Sequence, residues 1–199
     1  MTKIISSKMK YCRTTSCQIY GSRKFKNPTP PGQHGKRRRK LTEYCKQIRE
    51  TKKLRLFYGN IKLGYLQTVY EKASTSKGNK IDKLVEILER RLSTIVFRAK
   101  FAASIFTAKQ MVSHGLILVN GKRVDISSYL LNPNDVISLK NSIRENHHVL
   151  TALSSPDRDT PPFLECSKKF EVTFTHLPSM RAELFPFPVD LQKIIEFLS

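Results

Sequence analysis

Arg91-Leu92-Ser93-Thr94-Ile95-Val96-Phe97-Arg98, followed by Ala108-Lys109-Gln110-Met111-Val112-Ser113-His114-Gly115 and by Val119-Asn120-Gly121, decides the reading of the fold. Leu84, Leu88, Leu92 and Ile95 recur at helical spacing with Val85 and Val96 beside them, which predicts one helix with a single apolar stripe. Its other face carries Lys83, Glu86, Glu89, Arg90 and Arg91. A short helix follows, capped by Ser104 or Thr107, with Ile105, Ala108, Met111 and Val112 inward and Gly115 at its C-terminal end. The period then changes. Leu116-Ile117-Leu118-Val119 reads as a strand, Asn120-Gly121 as a hairpin turn and Lys122-Arg123-Val124 as the start of the return strand. Asn132-Pro133-Asn134-Asp135 makes a second turn before a third strand, Val136-Ile137-Ser138-Leu139. Residues 90–140 therefore read as two helices packed on a small, mostly antiparallel sheet.

Upstream, residues 1–40 read as irregular, with turn formers from Asn27 to Gly35 and then the run Lys36-Arg37-Arg38-Arg39-Lys40. Five adjacent positive charges repel one another unless a polyanion neutralises them, and a rigid Pro/Gly turn aims the run. Thr42 caps an expected helix over 43–58, with Lys46, Arg49 and Lys53 on its polar face, Tyr44, Ile48, Leu54 and Tyr58 inward, and Gly59-Asn60 at its end. A second helix is expected over about 63–74. Downstream, Pro156, Pro161, Pro162, Pro178, Pro186 and Pro188 favour loops and short strands, and 191–198 reads as a last amphipathic segment. The expected class is α+β, with boundaries at 1–89 (basic arm and helical region), 90–152 (the small domain of two helices on a sheet) and 153–199 (a C-terminal segment packing back on the N-terminal region).

Charge indicates the partner. The 199 residues carry a formal net charge of +20. Residues 1–60 hold 17 Lys/Arg against 2 Asp/Glu, residues 61–140 hold 13 against 6, and residues 141–199 hold 6 against 8. Such a chain attracts polyanions, and most of that attraction lies in its first third. Around the central motif, Arg98 and Lys100 precede the short helix, Lys109, Gln110 and His114 lie on its polar side, and Lys122 and Arg123 leave the turn. Basic groups next to a helix N-terminus suit recognition of phosphate and shape more than of base sequence. The candidate RNA-binding residues are Arg37, Arg38, Arg39, Lys40, Arg49, Lys53, Arg91, Arg98, Lys100, Ser104, Thr107, Lys109, Gln110, His114, Asn120, Lys122 and Arg123.

Other classes fit less well. No apolar run approaches the roughly 20 residues that span a bilayer, so no membrane partner is expected. The sequence has no Gly-rich phosphate loop, no paired catalytic carboxylates and no Ser/His/Asp or Cys/His constellation, so no enzyme and no cofactor is expected. A pseudouridine-synthase-like enzyme would need a catalytic domain that the residues outside 90–140 do not supply. A helix-turn-helix DNA regulator fits poorly with a hairpin directly after the would-be recognition helix. Cys12, Cys17, Cys45 and Cys166 are sparse and irregular, which favours a reducing compartment. Cys12, Cys17, His34 and Cys45 match zinc in ligand type but in no common spacing, so plain thiols are expected.

The central stretch resembles the signature of the S-four RNA-binding fold. Pro31-Gly32-Gln33-His34-Gly35, Leu41-Thr42-Glu43-Tyr44 with Gln47, Arg49-Glu50 and Tyr58-Gly59, Lys77-Gly78-Asn79 and the ending Ile195-Glu196-Phe197-Leu198-Ser199 resemble the ribosomal protein S-four family, in order and nearly end to end. The resemblance implies direct binding of small-subunit ribosomal RNA at a junction of helices in the five-prime domain, and a role in nucleating assembly. It also implies contact with ribosomal protein S-five, an influence on decoding accuracy, and a position where messenger RNA enters the subunit. Three departures stand out: Ser93 where the signature is usually acidic, the stretch Lys80-Ile81-Asp82-Lys83, and the cysteine spacing. The resemblance starts within the first dozen residues and leaves little room for a cleaved presequence. Together with the drift from the signature, this points to a mitochondrial ribosome with the protein encoded in the organelle, the alternatives being a bacterial cytoplasm or a plastid.

Overall fold

The computed structural model describes residues 8–19, 29, 31–35, 40–155, 159–178 and 185–199, with the backbone alone for residues 8 and 9. The chain forms two compact units, residues 1–81 with 182–199, and residues 82–181. The class is α+β, as the sequence implied.

The first unit contains helices α1 (Lys8–Thr15), α2 (Glu43–Phe57), α3 (Leu63–Thr75) and the C-terminal helix numbered α8 (Leu191–Leu198). α1 lies where the sequence read as irregular. Its octet has neither Gly nor Pro, and it buries Cys12 and Thr15. The Thr14 and Thr15 hydroxyls donate to the carbonyls of Lys10 and Tyr11, one turn back, at 2.8 and 2.9 Å. α2 starts as expected, with the Thr42 hydroxyl accepting from the Cys45 amide at 3.3 Å. It ends where Gly59 and Asn60 turn left-handed, at φ 79° and 54°.

The buried face of α2 differs from the expected one. Tyr44 and Ile48 are 63% and 38% exposed, whereas Thr51, Lys53, Leu54, Leu56 and Phe57 are buried. The apolar string Leu54-Leu56-Phe57-Tyr58 controls the packing at the C-terminal end of the helix. Phe57 meets Phe185 and Phe187 edge-on there, at centroid distances of 5.4 and 5.6 Å. α8 lies along α2. Asp190 caps α8 by accepting from the Lys193 amide (3.2 Å), while the Asp190 amide donates to Glu50 (3.2 Å) and the Gln47 side chain donates to Glu196 (3.3 Å). Tyr44 touches Phe197 with centroids 5.9 Å apart.

The second unit takes in all but the first two residues of α4 (Lys80–Glu89), then α5 (Leu92–Arg98), α6 (Ile105–Ser113), β1 (Ile117–Val119), β2 (Lys122–Arg123), β3 (Val136–Leu139), a 3-10 turn (Asn141–Ile143), α7 (His147–Leu153), β4 (Leu164–Lys168) and β5 (Glu171–Phe174). The single helix expected through Leu84–Ile95 is two. Arg91 is extended (φ −65°, ψ 133°) and forms a bridge with Leu130. The Leu92 amide donates to Tyr129 and the Leu131 amide to Arg90, at 2.8 and 3.0 Å. Backbone groups released by leaving the helix thus find partners some 40 residues along the chain, which a local apolar period does not encode. Glu89, 0% exposed, holds the two helices together by accepting from both Nε (3.1 Å) and Nη2 (2.8 Å) of Arg98. The Thr94 hydroxyl adds a bond to the Leu88 carbonyl (3.1 Å).

The sheet is larger than the three strands expected. Five antiparallel strands run in the order β2-β1-β3-β5-β4. Within the expected C-terminal segment 153–199, residues 164–174 therefore complete this sheet, and 185–199 belong to the first unit. Val172 and Phe174 alternate inward on β5, and Phe174 packs on Phe163. Leu84, Leu88, Leu92, Ile95, Phe101, Ile117, Leu131, Ile137 and Leu139 are among the other residues of this core, each 1% exposed or less.

Replacing Glu89 with Ala leaves the Arg98 charge in the interior without its bidentate acceptor. A loss of about 3 kcal/mol or more is expected in denaturant unfolding; a loss below about 1 kcal/mol, the range of an exposed pair, would show that the pair does not hold α4 to α5.

Candidate nucleic-acid interface

α6 and the hairpin after it bring part of the expected set together. Ser104, not Thr107, caps α6: its hydroxyl accepts from the Thr107 amide (3.2 Å), and the two hydroxyls lie 2.9 Å apart. Both side chains are thereby engaged in forming the helix. Ile105, Ala108, Met111 and Val112 face the core as expected. That places Gln110 and His114 on the outer side, one turn apart and exposed. Lys109 lies between the two faces and is half-buried. Loss of hydration, and secondly the charge of Arg91, push its ammonium down to about 8.

Gly115 has a positive φ of 65°, and the Arg123 guanidinium packs against its bare Cα, in the space a Cβ would take. No other residue meets both conditions. Asn120 and Gly121 are both left-handed (φ 49° and 77°), as a two-residue hairpin turn requires. Lys122 and Arg123 leave the turn exposed, Arg123 with its guanidinium against Gly115. Lys100, half-buried, follows α5 with a φ of 61°. The outer side of α6 and the hairpin beside it thus present Gln110, His114, Lys122 and Arg123 to solvent, with Lys109 set behind them.

Other expected residues are placed differently. Arg91 is 4% exposed at the start of α5, and Arg98 is committed to Glu89. Lys53 is 8% exposed and paired with Glu50 at 2.6 Å. Burial turns these three charges into the protein. The Asn120 side chain is held within the second unit, by Asp135 and Val136. Lys40 is exposed ahead of α2, and Arg49 is half-buried on it. Arg37, Arg38 and Arg39 lie outside the described residues. In the turn before them, the Gly35 amide donates to Gly32 (3.0 Å).

Reading the sequence missed a basic group in the first unit. Lys52 sits over the Tyr11 ring at 5.6 Å. Its pKa is lowered by desolvation and then by the charges of Arg55 and Lys10, and that of Arg55 is lowered by desolvation. The string Lys52-Lys53-Leu54-Arg55 is plain in the sequence, but its neighbours on α1 are not, because nothing local marks residues 8–15 as a helix. Ser93, in the position that is usually acidic, is fully buried, and its hydroxyl has no hydrogen-bond partner among the described residues. Cys12 is buried, Cys17 and Cys45 are half-buried and Cys166 is exposed, all as free thiols. Among the described residues no three His, Cys, Asp or Glu side chains group as a metal site, and no helix is long and apolar enough to cross a membrane.

The Lys109 shift has a consequence for stability. A lowered pKa means that the folded chain holds this proton less tightly than the unfolded chain. Below about 8 both states carry it, and the cost of the half-buried charge is present in full. Between about 8 and the ordinary 10.5 the unfolded chain binds more protons, so stability rises with pH. Unfolding measured across that window should show the rise in the native chain and lose it in Lys109→Met; the same profile in both would contradict the shift.

Comparison with known proteins finds matches along the chain. Residues 3–89 fit the family model described as Ribosomal protein S4/S9 N-terminal domain, and residues 90–137 fit that of the S4 domain. The small ribosomal subunit protein uS4 of Afipia carboxidovorans is 40% identical over 204 aligned residues, covering 100% of both chains. The proteins of the same name from Bradyrhizobium diazoefficiens and Pelagibacter ubique are 38% and 35% identical, again covering 100% of each chain. At this identity along its full length, the chain belongs to the uS4 family of small ribosomal subunit proteins.

Proposed function

We propose that this protein is a structural constituent of the small ribosomal subunit that binds its ribosomal RNA directly and helps to nucleate assembly. Carrying this reading is the full-length match to proteins of that name. The exposed Gln110, His114, Lys122 and Arg123, with Lys109 behind them, support it with a surface suited to phosphate and helix shape. It is not an enzyme: relatives along its whole length are ribosomal proteins. An RNA-modifying enzyme or an RNA-binding regulator that uses the same domain outside the ribosome is the alternative, and that full-length match argues against it.

Family resemblance supports three finer roles: contact with ribosomal protein S-five, an influence on decoding accuracy, and proximity to messenger RNA where it enters the subunit. The setting we favour is a mitochondrial ribosome. The drift from the signature at Ser93 and at 80–83 supports it, while the bacterial relatives suit a bacterial cytoplasm as well. Mass spectrometry of purified organelle ribosomes decides between them, since absence from that fraction would end the mitochondrial reading.

The basic run is proposed to meet phosphates. Replacing Arg37, Arg38 and Arg39 together with Ala should weaken binding to small-subunit ribosomal RNA and flatten its salt dependence by about 2 units in the slope of log K against log salt. An unchanged slope would show that the run does not contact phosphate.

A further inference from the structure

We infer that Asp135, acting through Asn120, is a positioning residue that sets the Lys122–Arg123 hairpin in place for RNA. The inference rests on the reading above that this hairpin meets RNA. β2 is a two-residue edge strand whose one partner in the sheet is β1. Its pairing consists of Leu118 with Arg123 and Val119 with Lys122, and the next backbone bond, from the Val124 amide to Ile117, is long at 3.4 Å. β1 is held in the sheet by β3, and β2 is held by β1 and by the Arg123 side chain against Gly115. With so few pairs in β2, a further anchor at the turn would fix its tip.

The Asn120 side chain does so. Its Oδ1 accepts from the Val136 amide (2.9 Å), while its backbone amide donates to the Val136 carbonyl (2.8 Å). Its Nδ2 donates to Oδ1 of Asp135 at 2.8 Å. The other carboxylate oxygen of Asp135 accepts from the Asn132 amide at 2.8 Å, and the Asp135 carbonyl accepts from Phe174 on β5 at 2.9 Å. Asn132 in turn accepts through Oδ1 from Nη2 of Arg90, at 2.9 Å. One line of hydrogen bonds therefore runs from the break between α4 and α5, through the 132–135 turn, to the tip of the basic hairpin. None of these residues needs to touch RNA for the line to matter.

Charge and position make opposite predictions here, which makes the inference testable. A carboxylate next to a basic hairpin opposes a polyanion. On charge alone, Asp135→Ala should tighten RNA binding, and Asn120→Gly, which keeps the left-handed turn comfortable and changes no charge, should do nothing. If the line positions the hairpin, both variants weaken binding, by about fivefold or more. Their salt slopes also become shallower by about 1 unit, because Lys122 and Arg123 no longer reach phosphate together. The paired variant should lose little more than either single one, as expected for one shared interaction.

The experiment is filter binding of the full chain to a full-length small-subunit ribosomal RNA transcript across a salt series, with thermal melts of every variant. Lys122→Ala with Arg123→Ala is measured alongside. If that pair binds like the native chain, the hairpin does not meet RNA and both readings fall. If that pair loses affinity while Asn120→Gly and Asp135→Ala bind as well as the native chain or better, the interface stands and the positioning role is overturned. Loss in all of them, with shallower slopes and melts above the assay temperature, supports it. Should Asp135→Ala melt below that temperature, Asn120→Gly decides alone.

Discussion

Most of what the second unit presents follows from the chain leaving helical geometry at Arg91. Had α4 run on into α5, the Leu92 and Ser93 amides would have bonded within the helix. Instead they donate to Tyr129 and Ser127, so the segment after the hairpin is fastened to the helix start. Arg90 strengthens the attachment through the Leu131 carbonyl and Asn132. The buried Glu89–Arg98 pair then holds α4 against α5 across the break. An interior charge pair of this kind resists the removal of one partner more than it adds net stability. α6 packs on α5, and the hairpin follows α6 directly.

Burial sorts the basic residues into two roles. Lys53 and Arg98 each face a carboxylate: Lys53 pairs with Glu50 within α2, and Arg98 with Glu89 across the break between α4 and α5. Lys122 and Arg123 are exposed, where their charge is available to a polyanion, and the exposed His114 ring lies on the outer side of α6. Lys109 stands between the two groups. Partial desolvation makes its positive charge costly in the isolated protein, a cost that a phosphate beside it would offset. A net charge of +20 is thus less uniform than it looks: part of it is internal structure and part of it is surface.

What could be read from the sequence was local. A cap at Ser104 or Thr107, the inward face of α6, the left-handed Gly115 and the Asn120-Gly121 turn depend on neighbours within about a helical turn, and the structure has each, with Ser104 as the cap. The break at Arg91 was invisible because Leu84, Leu88, Leu92 and Ile95 keep helical spacing across it; residues 127–131, far along the chain, decide it. α1 was missed because weak local preference is overcome by packing on α2, and β4 and β5 because prolines on either side masked the alternation of Val172 and Phe174. Among the candidate binding residues, Asn120 was recognised as a turn former but not as a tether, since its partner Asp135 lies 15 residues on. Lys53 was assigned to the polar face, although Glu50 stood one turn before it; the approach of α8, whose Asp190 amide binds Glu50, buries the pair.

Hydroxyl-radical footprinting of small-subunit ribosomal RNA, with and without the full-length protein, tests the central claim most directly. Protection confined to a junction of helices, saturating at one protein per RNA and fading as salt rises, is the result this account predicts. Protection spread evenly along duplex regions, or none at concentrations that saturate binding, would contradict direct recognition of ribosomal RNA by shape.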